Sequence, residues 1–142
     1  MCLASYYSGK AISISKTIAP HAVSYPFTSY YNVDHGHAVS LTFESFLEHN
    51  YNNLEYSTSN FNLKKRYEIL FNLLGVKNIL ELTQKIKIIK KDLSLKSKLS
   101  SINIKIPNNL NLIVKDVNLQ RLKNNPIDIQ KKDIFDILKK IS

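Results

Sequence analysis

The stretch 19–39, "APHAVSYPFTSYYNVDHGHAV", holds three of the four histidines in this 142-residue chain. Pro20 suits the first turn of a helix, where its missing N–H leaves no hydrogen bond unmade. Pro26 lies inside that helix and is expected to kink it. The turn-forming sequence "YNVDHG" then ends the helix, and Asp34 is expected to cap a following helix that begins at His35. The stretch therefore predicts two helices joined by a reversal of the chain.

This reversal decides whether His21 and His35 can share a metal ion. Each ring nitrogen would have to lie about 2 Å from the ion. On one straight helix the fourteen-residue separation would place the two residues about 21 Å apart. The kink at Pro26 and the break at 32–34 let the second helix return beside the first. His37 points to another side of its helix, so we expect it to line the same cleft without binding the ion.

Spacing alone leaves a structural role open for these histidines. Two imidazoles are too few for a metal site, which normally takes three or four protein ligands. Histidines of small helical domains are also commonly hydrogen-bonded surface or helix-end residues, and we assign that role to His49.

Hydrophobic periodicity predicts helices through most of the remaining chain. The predicted helices cover 3–17, 61–75, 78–91, 110–117 and a last segment after Pro126. We read 51–60 as a connection and 101–107 as an extended link. The predicted inward-facing residues are Leu3, Tyr7, Ala11 and Ile14; Leu63, Tyr67, Leu70 and Leu74; Ile79, Leu82, Ile86 and Ile89; and Ile134, Ile137, Leu138 and Ile141. The fold class is all-α, a multi-helix bundle forming a single domain over 1–142, with the metal-site helices in 1–50 and outer helices and a tail in 61–142.

Composition limits the classes of protein. A hydrophobic content of 44% suits a globular domain, and no run approaches the ~18 to 20 apolar residues that a membrane span needs. The single cysteine, Cys2, and the lack of a visible signal peptide predict a cytoplasmic protein. The net charge of +9 raises nucleic-acid binding as an alternative, but the lysines are densest at 85–99, where they alternate with isoleucine and leucine as on a solvated helix face.

The histidine stretch resembles the metal-binding signature of the iron-containing alcohol dehydrogenase family. That signature has a histidine, a small or apolar helical turn with a proline, and a second histidine followed by glycine, fourteen positions after the first. The match falls on His21, Pro26, His35 and Gly36. The helix "ASYYSGKAISISKT" resembles the one that precedes this signature, and the tail "VNLQRLKNNPIDIQKKDIFDIL" is similar to that of the branch that reduces phosphonoacetaldehyde and related short aldehydes.

The resemblance implies that His21 and His35 are two ligands of a catalytic divalent ion, Fe(II) or alternatively Zn(II). In the family, an aspartate and a third histidine complete the site, and they precede this domain together with the glycine-rich NAD(P)-binding domain. This chain has three glycines and no Gly-x-Gly cluster. We therefore expect the NAD(P)-binding half to be absent, so that the chain is a fragment or a subunit of a split enzyme and is inactive alone.

The resemblance also implies roles in metal-assisted hydride transfer between NAD(P)H and a small aldehyde or alcohol. Tyr25 stands where the family often has a further histidine, and its phenol can hydrogen-bond an alkoxide but relays protons poorly near neutral pH. His37 is the substitute for a mobile proton. Lys10 and Ser29 are candidates for contacting an anionic substrate group such as a phosphonate.

Three alternatives stay open: a lyase fragment of the dehydroquinate synthase type, a non-catalytic helical interaction module, and a basic nucleic-acid binder. We expect no membrane partner, and we favour the dehydrogenase over nucleic-acid binding. Five tyrosines of the first helices are expected to form an exposed aromatic patch that promotes self-association into a homo-oligomer: Tyr6, Tyr7, Tyr25, Tyr30 and Tyr31.

Overall fold

The structure is a computed structural model that describes residues 1–104 and 108–142. In this part of the chain the secondary structure is helical, with two 3-10 turns at Leu54–Tyr56 and Leu99–Ile102 and an isolated antiparallel bridge between Ser57 and Ile127. The helices are α1 (Cys2–Ser15), α2 (Ala19–Tyr31), α3 (His35–Asn52), α4 (Leu63–Leu74), α5 (Ile79–Asp92), α6 (Asn108–Lys115), α7 (Leu119–Leu122) and α8 (Lys131–Lys140). The predicted all-α class is confirmed. No helix in the described ranges has the length and apolar character to cross a membrane.

The α2–α3 pair forms the predicted reversal. Pro20 lies in the first turn of α2, and the helix continues through Pro26 to Tyr31. It ends at Asn32, which adopts a left-handed conformation with φ of 51°. Asp34 occupies the cap position of α3 as predicted, but its side chain makes no capping hydrogen bond. The two helices then pack along each other more extensively than any other pair.

The main core lies between the α2–α3 pair and the helices of the C-terminal third. Three alanines of this pair are fully buried, so the helix backbones can approach closely. The predicted inward face of α8 is confirmed, with Ile141 half-buried. The fully buried apolar residues of this core are Ala19, Ala22, Val23, Phe27, Ala38, Leu41, Phe46, Leu99, Leu110, Ile113, Ile134 and Leu138.

A second, smaller cluster joins α4 and α5, and its inward faces differ in part from the predicted ones. On α4, Phe71 is buried and Leu74 is exposed, so the buried face is rotated from the predicted one. On α5, Ile89 is 49% exposed, whereas Lys90 beside it is 4% exposed. Gly75 ends α4 with φ of 62°, as predicted for a glycine stop.

Lys90 is buried because it forms an ion pair with Glu44 of α3. The Lys90 Nζ lies 2.8 Å and 3.1 Å from the two Glu44 carboxylate oxygens, and it also donates to the Ser40 carbonyl at 2.7 Å. All three lysine protons can thus be used between α3 and α5. This pairing, which acts between distant parts of the sequence, determines which face of α5 turns inward.

Two buried amides attach the loop before α8 to α3. Asn125 donates to the Asn50 side-chain oxygen at 2.8 Å and to the Ile127 carbonyl at 2.7 Å, and Asn50 donates back at 3.3 Å. The Thr58 N–H donates to the Pro126 carbonyl at 2.9 Å. The loop that carries Asn125 is therefore fixed both to α3 and to the connection after it.

Helix α1 has no buried residue, so the prediction that its Leu3–Tyr7–Ala11–Ile14 face packs closely was wrong for the described structure. Its apolar residues are spread around the helix, and the small residues Ala4, Ser8 and Gly9 open onto solvent. Tyr6, Tyr7 and Tyr30 are exposed as expected, but Tyr25 and Tyr31 are half-buried.

Two connections also differ from the predicted pattern. Residues 51–52 continue α3, and Ser101 and Ile102 belong to a 3-10 turn, not to an extended link. Residues 105–107 of that predicted link lie outside the described residues.

Removing one member of the Glu44–Lys90 pair should destabilise the fold strongly. Lys90→Ala leaves the Glu44 carboxylate buried without its partner, and we expect the free energy of unfolding to fall by about 3 to 5 kcal/mol. The double variant Glu44→Leu with Lys90→Met should recover most of that loss. Urea unfolding followed by circular dichroism measures both. Glu68→Ala, an exposed carboxylate on α4, is the control, and a Lys90→Ala loss no larger than the control's would contradict the assignment.

Candidate metal centre

The α2–α3 reversal brings His21 and His35 together. His21 is the third residue of α2 and His35 is the first residue of α3, so both lie at helix N-termini. Their ring centroids are 5.5 Å apart, and the ring planes are inclined by 59°. Two imidazoles on one tetrahedral ion have centroids about 5 Å apart, so a common ion needs only a small adjustment of the rings. Sharing of an ion by this pair stays a prediction.

The environment of His21 favours its neutral form. The ring is half-buried, and its burial, followed by the nearby positive groups of His35 and Arg121, lowers its pKa from the ordinary value of 6.5. His35 itself is exposed. Neutral imidazole is the form that binds a metal ion, so this environment prepares the His21 ring for coordination near neutral pH.

Tyr25 and Arg121 complete the surroundings of the pair. Tyr25 follows His21 by one turn of α2, and its ring centroid lies 5.8 Å from that of His35. The Arg121 guanidinium lies 4.5 Å from the Tyr25 ring centroid, a cation–π contact. Arg121 was missed in the sequence because α7 has only four residues and shows no periodicity. The available signal was Asn118, whose side chain accepts from the Arg121 N–H at the start of α7.

His37 is placed apart from the pair. Its Nε2 lies 2.7 Å from the Lys96 carbonyl oxygen, and the ring lines a polar cleft formed with 31–34 and 94–96. His37 thus lines a different cleft from the one that His21 lines. Its proposed exchange of a proton with substrate stays a prediction that no contact supports.

Among the described residues, no hydrogen bond or ring contact joins the other candidate residues to the pair. Lys10 is exposed on α1, with its Nζ 5.4 Å from the Tyr6 ring centroid, and Ser29 is exposed near the end of α2. His49 is half-buried far along α3, in keeping with a structural role. The substrate roles of Lys10 and Ser29 stay predictions.

A cleft of about 700 Å³ opens beside His21. One wall is the corner between α1 and α2 at 15–18, and the other walls are the segments 58–61 and 123–126. Apolar side chains, among them Ile12, Phe43 and Phe61, form much of its surface. The volume is in the range of small-molecule sites, which are typically apolar with a few polar groups.

The described residues supply the pair but no complete set of ligands. Within 1–104 and 108–142 no three histidine, cysteine, aspartate or glutamate side chains lie close enough together to hold a metal ion. The pair thus fits part of a metal site, as the resemblance implies.

Comparisons with known proteins agree with this picture. The model of the "Fe-containing alcohol dehydrogenase family, C-terminal" matches residues 1–142. The phosphonoacetaldehyde reductase of Streptomyces viridochromogenes is 40% identical over 48 residues, which are 34% of this chain and 12% of the reductase. The crystal structure of sulfoacetaldehyde reductase from Bifidobacterium kashiwanohense in complex with NAD+ superposes with a TM-score of 0.72 and 21% identity, covering 89% of this chain and 31% of that one.

These matches bear on both fold and family. The chain spans less than a third of the solved reductase and about an eighth of the curated relative. The structural likeness shows that the two proteins share the all-helical fold over this part. Because the family model covers every residue of the chain, the protein belongs to the Fe-containing alcohol dehydrogenase family and corresponds to its C-terminal domain.

Proposed function

We propose that this chain supplies His21 and His35 as two ligands of the divalent metal centre of an NAD(P)-dependent aldehyde reductase. The observation that carries the proposal is the 5.5 Å separation of the two ring centroids, produced by the α2–α3 reversal. Membership of an iron-containing family supports Fe(II) as the ion, with Zn(II) as the alternative. Both ions accept imidazole ligands.

The residues of the pair fit such an ion in their chemistry as well as in their spacing. His21 is held near its neutral state, and exposed His35 can turn toward the same point. When bound, the ion acts as a Lewis acid on a carbonyl oxygen. The Tyr25 phenol is close enough to the His35 ring to donate a hydrogen bond to a substrate oxygen beside it. Arg121, stacked on that phenol, restricts its motion.

Short aldehydes are the proposed substrates. The two relatives are named as reductases of phosphonoacetaldehyde and sulfoacetaldehyde, and the cleft beside His21 has room for a small molecule. The solved relative contains NAD+, which supports NAD(P)H as hydride donor. We infer that the donor is bound mainly by a nucleotide-binding part outside these residues and that the enzyme works in the cytoplasm. Tyr6 and Tyr7 of α1 are exposed. We therefore expect α1 to contact either that nucleotide-binding part or a second copy of the chain.

Metal binding by the chain should depend on both histidines. We expect the 142-residue chain to bind Co(II), used as a spectroscopic substitute, and His21→Ala or His35→Ala to weaken binding by at least about tenfold. Titration followed by the visible absorption of Co(II) measures the affinity. His49→Ala is the matched control and should bind as the unchanged chain does. Equal affinity in all four proteins would rule out the pair as the ligands.

Proximity of the two rings should also appear in the pKa of His21 without any metal. The ring is charged below its pKa, and the positive form of His35 disfavours a second charge nearby. Replacing His35 with glutamine should therefore raise the pKa of His21 toward 6.5, while burial keeps it below that value. A proton NMR titration of the imidazole resonances measures the change. His49→Gln should leave the His21 titration unmoved, and an unmoved titration in His35→Gln would show that the rings are apart.

The chain alone should reduce no aldehyde, because its described residues provide only part of a metal site. Adding the separately produced nucleotide-binding half of the sulfoacetaldehyde reductase should give loss of NADH absorbance that requires Fe(II) and a short aldehyde. Such turnover should be abolished by His21→Ala. Turnover by the chain alone would contradict the proposed division of the site, and a mixture inactive with every aldehyde would favour the non-catalytic interaction module.

A further inference from the structure

Two lysines line the cleft beside His21, and a hydrogen bond links the residues that follow them in the sequence. Lys16 follows α1 and Lys123 follows α7, and both line the cleft. Each precedes a residue of the linking bond, in which the Asn124 side-chain amide donates to the Thr17 carbonyl at 3.3 Å. The two ammonium groups are therefore carried by neighbouring segments that face one opening, although 107 positions separate the lysines in the sequence.

The backbone at Lys16 is costly for a lysine. Its φ of 58° and ψ of −160° lie in a region that is essentially restricted to glycine, and its N–H is used in ending α1, donating to the Ile12 carbonyl at 2.9 Å. Residues with a Cβ lose about 1 to 3 kcal/mol in this conformation. The backbone alone therefore does not explain a lysine here. Strained conformations of this kind concentrate at ligand-binding sites.

The charge around the cleft has one sign. Among the described residues that line it there is no aspartate or glutamate, while two exposed lysines, Lys16 and Lys123, line it together with His21. Arg121 adds positive charge nearby, since its guanidinium lies 4.5 Å from the ring centroid of Tyr25, one turn along α2 from His21. The apolar walls reduce the local dielectric constant and strengthen the attraction of an anion. Asn60 adds an amide that can donate to an anionic oxygen.

We propose that Lys16 and Lys123 bind the anionic group of the substrate. The substrates would then be short aldehydes that carry a phosphonate or a sulfonate group. The inference rests on the proposed function, because the aldehyde end must reach the His21–His35 pair while the anion remains at the mouth of the cleft. Two lysines provide point charges and several N–H donors without a fixed geometry. The two lysines can therefore bind either the phosphonate dianion or the sulfonate monoanion.

Binding of an unreactive analogue to the full 142-residue chain, free of metal, tests the assignment. Ethylphosphonate is titrated into labelled chain and followed by amide NMR shifts of the segments 15–18 and 123–126. The double variant Lys16→Gln, Lys123→Gln should bind ethylphosphonate about tenfold more weakly than the unchanged chain. The same double substitution should reduce the affinity for ethanesulfonate less, because ethanesulfonate carries a single charge. Arginine at both positions should restore most of the affinity. Neutral 1-propanol should bind equally in all variants.

A matched pair of exposed lysines distinguishes the cleft from the overall positive charge. Lys91→Gln with Lys132→Gln removes the same charge from exposed positions of α5 and α8 that do not line the cleft, and should change ethylphosphonate affinity less than twofold. An equal loss in both double variants would overturn the proposal. Tighter binding of ADP than of ethylphosphonate at these segments would also overturn it, because the lysines would then serve nucleotide phosphates.

The measurement of ethylphosphonate binding and the measurement of Co(II) binding test the anion site and the metal site separately. The Lys16→Gln, Lys123→Gln chain should keep the Co(II) affinity of the unchanged chain. Lysine-dependent ethylphosphonate binding without histidine-dependent Co(II) binding would remove the proposed metal function and leave the anion site. Co(II) binding with ethylphosphonate affinity unchanged by the lysine substitutions would remove the anion site alone.

Discussion

The reversal between α2 and α3 is the constraint on which the remaining structure depends. Asn32 turns the chain in a left-handed conformation, and the N–H groups of Asn32 and Val33 both donate to the Phe27 carbonyl. Val33, 8% exposed, then anchors the turn to the core beside fully buried Phe27. This local geometry brings together two helix N-termini that a straight helix of the same length would hold about 21 Å apart. The pair of imidazoles is a consequence of this turn.

The site combines apolar support with positive charge. Alanines on the inner sides of α2 and α3 let the helices approach closely, so that His21 and His35 meet at the edge of the core. Around them lie Arg121 and the two lysines of the cleft. Like charges that converge repel one another. A carboxylate from another part of an enzyme and an anionic substrate would each relieve this repulsion, so the charge distribution favours the ligands that the proposed function requires.

Local patterns in the sequence predicted the helices and the turn, because both depend on residues close together along the chain. Pro20, the "YNVDHG" break and the glycine stop at Gly75 all act within a few positions. Burial was predicted less well, because it depends on distant partners. The hydrophobic periodicity of α8 correctly predicted which of its residues are buried. On α5, by contrast, the ion pair with Glu44 buries Lys90, and Ile89 is left half-exposed.

The same reason limited prediction of the site. His21 and His35 were identified because a spacing and a reversal lay within one short stretch. Arg121, Lys16 and Lys123 were missed because their positions depend on contacts across more than 90 residues. The roles of Lys10 and Ser29, which were chosen for chemical type, stay predictions. Chemical type and local spacing therefore find a pair of histidines that a single turn brings together, but not the residues that separate segments bring to it.

The cleft and the core are mechanically connected through a series of hydrogen bonds. The buried Asn50–Asn125 pair joins α3 to the loop before α8, and the adjacent Asn124 joins that loop to the corner between α1 and α2. Three segments distant in sequence are thus linked, by the buried amide pair of Asn50 and Asn125 and by an exposed bond from Asn124 to Thr17. These links end at Thr17, two positions before α2 enters the core at the fully buried Ala19. Because His21 follows two positions later, the links position the segments that carry the lysines of the cleft relative to the ring of His21, and a site for a short substrate with two different ends requires such positioning.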